Sequence, residues 1–151
     1  MARYQHQVSV TRGDCLRHLH RLESGTARLI LADPPYGIGY DSRLGERLTN
    51  DERPFIWWLH EAHRLCSSPG AIVTFCRWDV WQLWVDAVEA AGFAVRSQLV
   101  WDKISHGMGD TRRTLGPRHE LAVFATKGRF SFQSGRPQSL LSIPVPRGPS
   151  S

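Results

Sequence analysis

The strongest constraint in this sequence is a short apolar run that ends at two consecutive prolines. Residues 28–32, Arg-Leu-Ile-Leu-Ala, are typical of a strand buried on both faces, and Asp33-Pro34-Pro35-Tyr36 follows directly. Proline has no N–H to donate and its ring fixes φ, so the strand must end here and the chain after it is stiff. The sequence therefore predicts a rigid corner at the tip of a central strand.

Strand and helix patterns alternate along the rest of the 151 residues. Such alternation predicts an α/β fold with a three-layer sheet, within one folded region over residues 1–135 and an irregular tail over residues 136–151. We expect further strands at Val8–Val10, Ala71–Cys76, Val95–Trp101 and Glu120–Thr126, and helices capped by Asp14, by Asn50 or Asp51, and by Asp79.

Three groups of polar or aromatic residues follow predicted strands: Gly13-Asp14, Asp33–Tyr36 and Trp101-Asp102-Lys103. Because ligands of α/β sheets bind at the carboxyl ends of the strands, we expect these groups to share one site. At the corner, Asp33 and the backbone carbonyls offer acceptors and Tyr36 offers a flat ring. That combination suits an aromatic amine, whose N–H groups need acceptors and whose ring stacks. The alternative is a proline-rich turn with a buried tyrosine.

The charge of the chain makes nucleic acid one of two open alternatives for its partner. The net charge is +5, from 19 Lys and Arg against 14 Asp and Glu, and a basic surface favours polyanions. Many proteins of similar charge have no such partner. The loop from Ser105 to Arg118 also carries Arg112 and Arg113, and its arginines suit DNA phosphates. A loop that is merely solvated is the alternative there.

Cysteine and histidine usage bears on the compartment and on metal binding. Cys15, Cys66 and Cys76 form no CxxC pair, and the amino terminus has no apolar segment of the secretory kind. We therefore expect a cytoplasmic domain with no membrane contact. His60 and His63 would share a helix face with Cys66, but no fourth ligand lies nearby in the sequence, so we expect no metal site.

Several segments spread over the chain carry a resemblance to one protein family. They are Gly13-Asp14-Cys15, residues 29–40 with their Asp-Pro-Pro-Tyr, the helix at 58–65, Val100–Lys103, Arg118-His119-Glu120 and Lys127-Gly128. Together they resemble the N6-adenine/N4-cytosine DNA methyltransferases, and His106–Asp110 is similar to phage-associated members in particular. The resemblance implies a Rossmann-like methyltransferase sheet that acts on double-stranded DNA with S-adenosylmethionine as cofactor.

The resemblance also implies roles for individual residues. Asp33 and the Pro34 carbonyl would hold the target amine, and Tyr36 would stack on a base flipped out of the duplex, with Pro35 completing the catalytic motif. Methyl transfer would be a direct displacement that depends on positioning. Asp14, Cys15 and Asp33 would bind the cofactor, and Trp101, Lys103, Arg112, Arg113 and Arg118 would contact DNA. A plain helix cap and a core position are the alternatives for Asp14 and Trp101.

One element of the family is missing from the sequence. Members carry an Asp-Pro-Phe and glycine-rich loop, preceded by His-Pro-Thr and Lys-Pro, that cradles the methionine part of the cofactor. We therefore expect an incomplete sheet in which residues 29–32 form an open edge. We also expect a second chain or a missing C-terminal segment to supply the loop. Alone, the chain is expected to be marginally stable and to bind the cofactor weakly.

The target base is the last expectation from the resemblance. Members whose motif begins with aspartate, as Asp-Pro-Pro-Tyr does here, usually act on adenine, whereas others carry serine in its place. The resemblance therefore favours adenine N6. Two alternatives stay open. One is a cytosine-N4 methyltransferase, and the other is a catalytically silent remnant that binds DNA or a partner.

Overall fold

The computed structural model describes residues 8–37, 53–105, 112–113 and 115–145. The elements in these ranges are α1 (Cys15–Leu19), β1 (Ala27–Ala32), α2 (Leu59–Leu65), β2 (Cys66–Cys76), α3 (Trp81–Ala90), β3 (Ala94–Asp102), β4 (His119–Lys127) and β5 (Leu140–Ser142). The five described strands form one sheet, in the order β1-β2-β4-β3-β5. No described helix has the length and apolar character that a membrane span requires.

The sheet is mixed, and its strand directions bring several chain segments to one end. β1 runs parallel to β2, whereas β4 is antiparallel to both β2 and β3. Cys76 at the end of β2 pairs with Leu121 near the start of β4, and Asp102 at the end of β3 pairs with His119. The carboxyl ends of β1, β2 and β3 therefore share a sheet end with the amino end of β4.

The hydrophobic core lies between the sheet and its helices, on one face. Trp58 just before α2, Leu59 within it, and Trp84 and Val88 of α3 are buried there, as the helical spacing of their apolar residues predicts. Leu16 and Leu19 of α1 pack on the same core. The largest fully buried side chains are Trp84, Leu59, Ile72, Val88 and Val123.

Strand β1 corrects one prediction and confirms another. Ile30 and Ala32 face the core, but Leu29 and Leu31 are 62% and 68% exposed, so the strand is not buried on both faces. The reason is that the described helices cover only one face of the sheet. Among the described strands, β1 is also the outermost on its side of the sheet, so the predicted open edge at residues 29–32 is confirmed for this part of the chain.

Three further predictions differ from the structure. Val8–Val10 forms no strand, and Val8 and Val10 are exposed, since no described strand lies beside them. Asp79 does not cap α3. It lies in a 3-10 turn, Trp78–Val80, where its carboxylate accepts a 2.6 Å hydrogen bond from Arg77. The segment expected to be an irregular tail contributes β5, which pairs with β3.

The helix starts give a mixed outcome. Asp14 does cap α1, because its Oδ1 accepts a 3.0 Å hydrogen bond from the backbone N–H of Leu16. α2 begins only at Leu59, and its expected caps Asn50 and Asp51 lie outside the described residues. The Trp58 indole instead donates a 2.9 Å hydrogen bond to the Phe55 carbonyl.

The carboxyl end of α2 is held by a lysine from β4. Lys127 Nζ donates to the carbonyls of His63 and Cys66, at 2.7 and 2.9 Å. These carbonyls have no partner within the helix, and a cation there also opposes the negative end of the helix dipole. Lys127 therefore joins α2 to the sheet.

Replacing Lys127 with methionine should destabilise the protein by about 2 kcal/mol, because two charged hydrogen bonds to half-buried carbonyls are lost. Urea denaturation followed by circular dichroism measures the change. Arg129→Met removes a neighbouring exposed cation and serves as the control. Equal stabilities of the two variants would contradict this role of Lys127.

Candidate active site

The corner after β1 is the centre of the candidate site. Asp33 is exposed, whereas Pro34, Pro35 and Tyr36 are half-buried. The Tyr36 hydroxyl donates a 2.5 Å hydrogen bond to Asp33 Oδ1, which closes the corner between residues three apart. Among the described residues, Asp33 Oδ2 has no hydrogen-bond partner. Within the described part of the chain, the corner therefore presents one carboxylate oxygen without a partner, beside a phenol ring.

Glycine at position 37 allows a second segment to approach the corner closely. Gly37 has a φ of +79°, and a Cβ built on it would lie 2.3 Å from the backbone of Arg53 and of Pro54. The Phe55 N–H also donates to the Pro35 carbonyl at 3.4 Å. Any larger residue at position 37 would push these two backbones apart, so the sequence Tyr-Gly is part of the corner's geometry.

Tyr36 is kept in its neutral form. Burial raises the pKa of the Tyr36 phenol well above its ordinary value, and the hydrogen bond to Asp33 and the negative charges of Asp33 and Glu120 raise it further. Burial also raises the pKa of the neighbouring Cys76 thiol to about 12. At neutral pH neither group is an anionic nucleophile, so they suit binding and orienting a ligand rather than attacking one.

The ends of β3 and β4 supply charged groups at the same end of the sheet as the corner. Lys103 Nζ donates to Glu120 Oε1 at 3.0 Å, which ties the two strands together. Arg118 donates to both carboxylate oxygens of Asp102, at 2.6 and 2.9 Å. Trp101 donates from its indole nitrogen to the Ile143 carbonyl at 2.7 Å. The residues predicted to contact DNA at this end are thus partly engaged within the protein.

Sequence reasoning missed Glu120 and Phe75 as neighbours of the site. Glu120 acts electrostatically on Tyr36, and the Phe75 ring lies edge-on to Trp101 with their centroids 6.2 Å apart. Glu120 lies at the amino end of β4, whereas the rule used for the prediction considers only the carboxyl ends of strands. The antiparallel direction of β4 brings it to the site, and no local pattern predicts that direction.

The remaining predicted residues are less closely joined to the corner. The hydrogen bond and the 3.8 Å ion pair of Asp14 are both made within its own helix, to Leu16 and Arg17, and Cys15 is exposed. Arg112 and Arg113 are exposed, and half of the predicted DNA loop, including His106–Asp110, lies outside the described residues.

His63, one of the residues considered as a metal ligand, has a packing role. The His63 ring packs edge-on against Phe93, with their centroids 4.9 Å apart. Burial and the charge of Lys127 lower the pKa of His63. In the part of the chain that the structure describes, no group of three or more His, Cys, Asp or Glu side chains is arranged to hold a metal ion.

The Asp102–Arg118 pair makes stability depend on pH in the acid range. Hydrogen bonds from Arg118 and from the Ile104 N–H lower the pKa of Asp102 to about 2, below its ordinary value of 3.8. Because the folded state favours the ionised form, the pair's contribution is complete above about pH 4 and is lost as the pH falls toward 2.

Accordingly, Asp102→Asn should lower the urea midpoint at pH 7, and its difference from the unsubstituted chain should shrink as the pH approaches 2. Denaturation curves at pH 7, 4 and 2.5 are the measurement. Asp86→Asn, on the exposed side of α3, controls for removing a surface carboxylate. A difference that stays constant across this range would exclude the proposed linkage.

Comparison with known proteins gives a consistent family relationship. A family model described as "DNA methylase" matches residues 27–142. YubD of Escherichia coli (strain K12), named "Putative methylase YubD", is 31% identical over 121 residues, which cover 78% of this chain and 51% of YubD. The chain therefore spans about half the length of this relative.

Solved structures of DNA methyltransferases share the fold. The M1.HpyAVI–SAM complex is 19% identical, with a TM-score of 0.59 over 89% of this chain and 62% of that one. The cytosine-N4-specific PvuII DNA methyltransferase is 12% identical, with a TM-score of 0.67 over 91% of this chain and 57% of that one. At such identities the likeness concerns the fold alone.

Proposed function

The chain belongs to the N6/N4 family of DNA methylases, and from this premise we propose that it forms the target-base part of an S-adenosylmethionine-dependent DNA methyltransferase. We further propose adenine N6 as the methylated atom. The observation that carries the proposal is the Asp33–Tyr36 corner at the end of β1, with an exposed carboxylate beside a neutral phenol ring.

The corner's chemistry fits an exocyclic amine. Asp33 Oδ1 is occupied by the Tyr36 hydroxyl, so Oδ2 is the acceptor available to an N–H group. An amine held by such an acceptor has its lone pair directed away from the carboxylate. The stiff Pro34-Pro35 backbone keeps the acceptor in place, and positioning of this kind provides much of the acceleration of a displacement reaction.

The Tyr36 ring suits stacking on the target base itself. Its hydrogen bond to Asp33 fixes the edge of the ring, and its raised pKa keeps the phenol uncharged. A neutral, immobilised ring is a good stacking surface for an unpaired base. A base in a duplex must leave the stack to reach such a surface, so the proposed substrate is a flipped nucleotide in double-stranded DNA.

The described residues fit only part of the proposed cofactor. The exposed Asp33 carboxylate at the strand end suits a cationic or N–H-bearing group, and Asp14 and Cys15 stay candidates at the start of α1. Bound S-adenosylmethionine would supply an electrophilic methyl group. Neither these residues nor their neighbours contain a glycine-rich loop, so we propose that a second chain or a further segment holds the methionine part.

Expression of the chain together with the part of YubD that lies beyond its matched region tests the proposal. Plasmid DNA from a host without DNA methyltransferases is incubated with both polypeptides and S-adenosylmethionine, and its nucleosides are analysed by mass spectrometry. We expect N6-methyladenine, absent when either polypeptide is omitted. N4-methylcytosine instead would overturn the adenine assignment.

The second candidate is a catalytically silent module that binds a partner polypeptide, and the same assay separates it. It is favoured by Lys103 and Arg118, whose charges are opposed by Glu120 and Asp102 at the candidate site rather than free for DNA. If the two polypeptides form a complex and no methylated nucleoside appears, the catalytic proposal fails and the silent module gains support.

A further inference from the structure

In the described part of the chain, the face of the sheet opposite the core is apolar and largely uncovered. It forms an open groove of about 1210 Å³ that crosses the sheet. Soluble monomers rarely leave a continuous apolar surface of this kind uncovered unless it binds something. The apolar side chains that line the groove come from all five strands and the segment after β4, and include Leu29, Val73, Leu99, Phe124, Phe132 and Leu141.

Packed side chains close the groove on one side, and the groove is open on the other. Phe124, Phe130 and Phe132 pack on one another with ring centroids 5.2 to 5.9 Å apart, and the Ser139 carbonyl accepts a 2.8 Å hydrogen bond from Val100 N–H. On the opposite side, β1 has no described strand beyond it. Within the described residues, its outer edge therefore has no strand to pair with, next to the exposed side chains of Leu29 and Leu31.

The charge of the groove limits what can cover it. Arg28 and Arg136 line it, and none of the described residues that line it is acidic. A second copy of the chain would bring these arginines together and add two net charges of +5. A segment with acidic residues beside an apolar stripe is complementary instead.

We propose that this face and the outer edge of β1 form the docking surface for the complementary half of the methylase. The occupant is a polypeptide segment that adds a strand to β1 and lays an amphipathic helix, with acidic flanks, in the groove. The length of the relatives supports this occupant, because the chain accounts for only 51% of YubD and 62% of M1.HpyAVI. The inference rests on the family relationship and deepens the proposed function.

Binding rather than methylation tests the surface, so its failure is distinct from that of the catalytic proposal. The probe is the YubD part beyond the matched region, and binding is measured by fluorescence anisotropy of the labelled probe. The matched part of YubD is the positive control, because its binding shows that the probe is able to bind. Amide hydrogen exchange of β1 gives a second readout, with protection expected when the probe binds.

Variants on the two faces locate the surface. Leu29→Asp and Leu31→Asp should raise Kd at least about tenfold, because a carboxylate would be buried against the incoming segment. These side chains are exposed in the chain alone, so little stability is lost. Leu83→Asp, on the exposed side of α3, should leave Kd unchanged. Arg136→Glu should weaken binding, whereas Arg129→Glu, outside the groove, should not.

Three results would overturn the proposal. The first is a probe that binds the YubD control but not this chain. The second is binding that survives both Leu29→Asp and Leu31→Asp. The third is a dimer of the chain alone, seen by analytical ultracentrifugation and abolished by Leu31→Asp, because a second copy would then be the occupant of this face.

Discussion

Alanine at Asp33 should reduce methyl transfer by the reconstituted enzyme at least about 100-fold, since the amine would lose the acceptor that aims it. The loss should appear in the rate constant at saturating DNA, because the surface outside the Asp33–Tyr36 corner is unchanged. Single-turnover transfer of a tritiated methyl group from S-adenosylmethionine to plasmid DNA measures it. DNA binding, followed by anisotropy, should change little.

Two controls show whether the effect belongs to the corner. Asp86→Ala removes an exposed carboxylate from α3, far along the chain, and should leave the rate unaltered. Tyr36→Phe retains the ring but loses the hydroxyl that holds Asp33, so about a tenfold decrease or less is expected, whereas Tyr36→Ala should lose much more. Activity of Asp33→Ala within threefold of the unsubstituted chain would refute the role given to this carboxylate.

Alanine at Trp84 should have the largest effect on stability, a loss of about 3–5 kcal/mol. Trp84 is 0% exposed and joins α3 to the core between helices and sheet, so its removal leaves a cavity that the rigid surroundings fill only in part. Domains are stable by roughly 5–15 kcal/mol, and this one has a bare sheet face. We therefore expect the variant to be largely unfolded at 37 °C.

Urea and thermal denaturation of three variants check this expectation. Trp78→Ala removes a tryptophan that is 75% exposed and should be nearly neutral. Trp84→Phe should lose much less than alanine, partly because the Trp84 indole N–H has no partner among the described residues and its removal leaves no donor unsatisfied. A Trp84→Ala variant as stable as Trp78→Ala would show that this residue does not anchor the core.

Local patterns predicted the elements that matter for the site. The corner after β1 follows from proline geometry, and the core positions of α2 and α3 follow from helical spacing. Asp14 was predicted correctly as a cap, because its carboxylate accepts a hydrogen bond from a backbone N–H only two residues away. Two other predictions were wrong: the start of α3 at Asp79 and the strand at Val8–Val10.

By itself, the sequence determined where the chain turns, which face of each helix is apolar, and that a stiff acceptor corner ends β1. These properties depend on residues next to or a few positions from one another, so their physics is contained in short segments. Only the tertiary structure decided that β4 runs antiparallel and brings Glu120 to Tyr36, and that Lys127 caps α2. It also decided that one face of β1 stays bare, because exposure depends on which distant segment packs there.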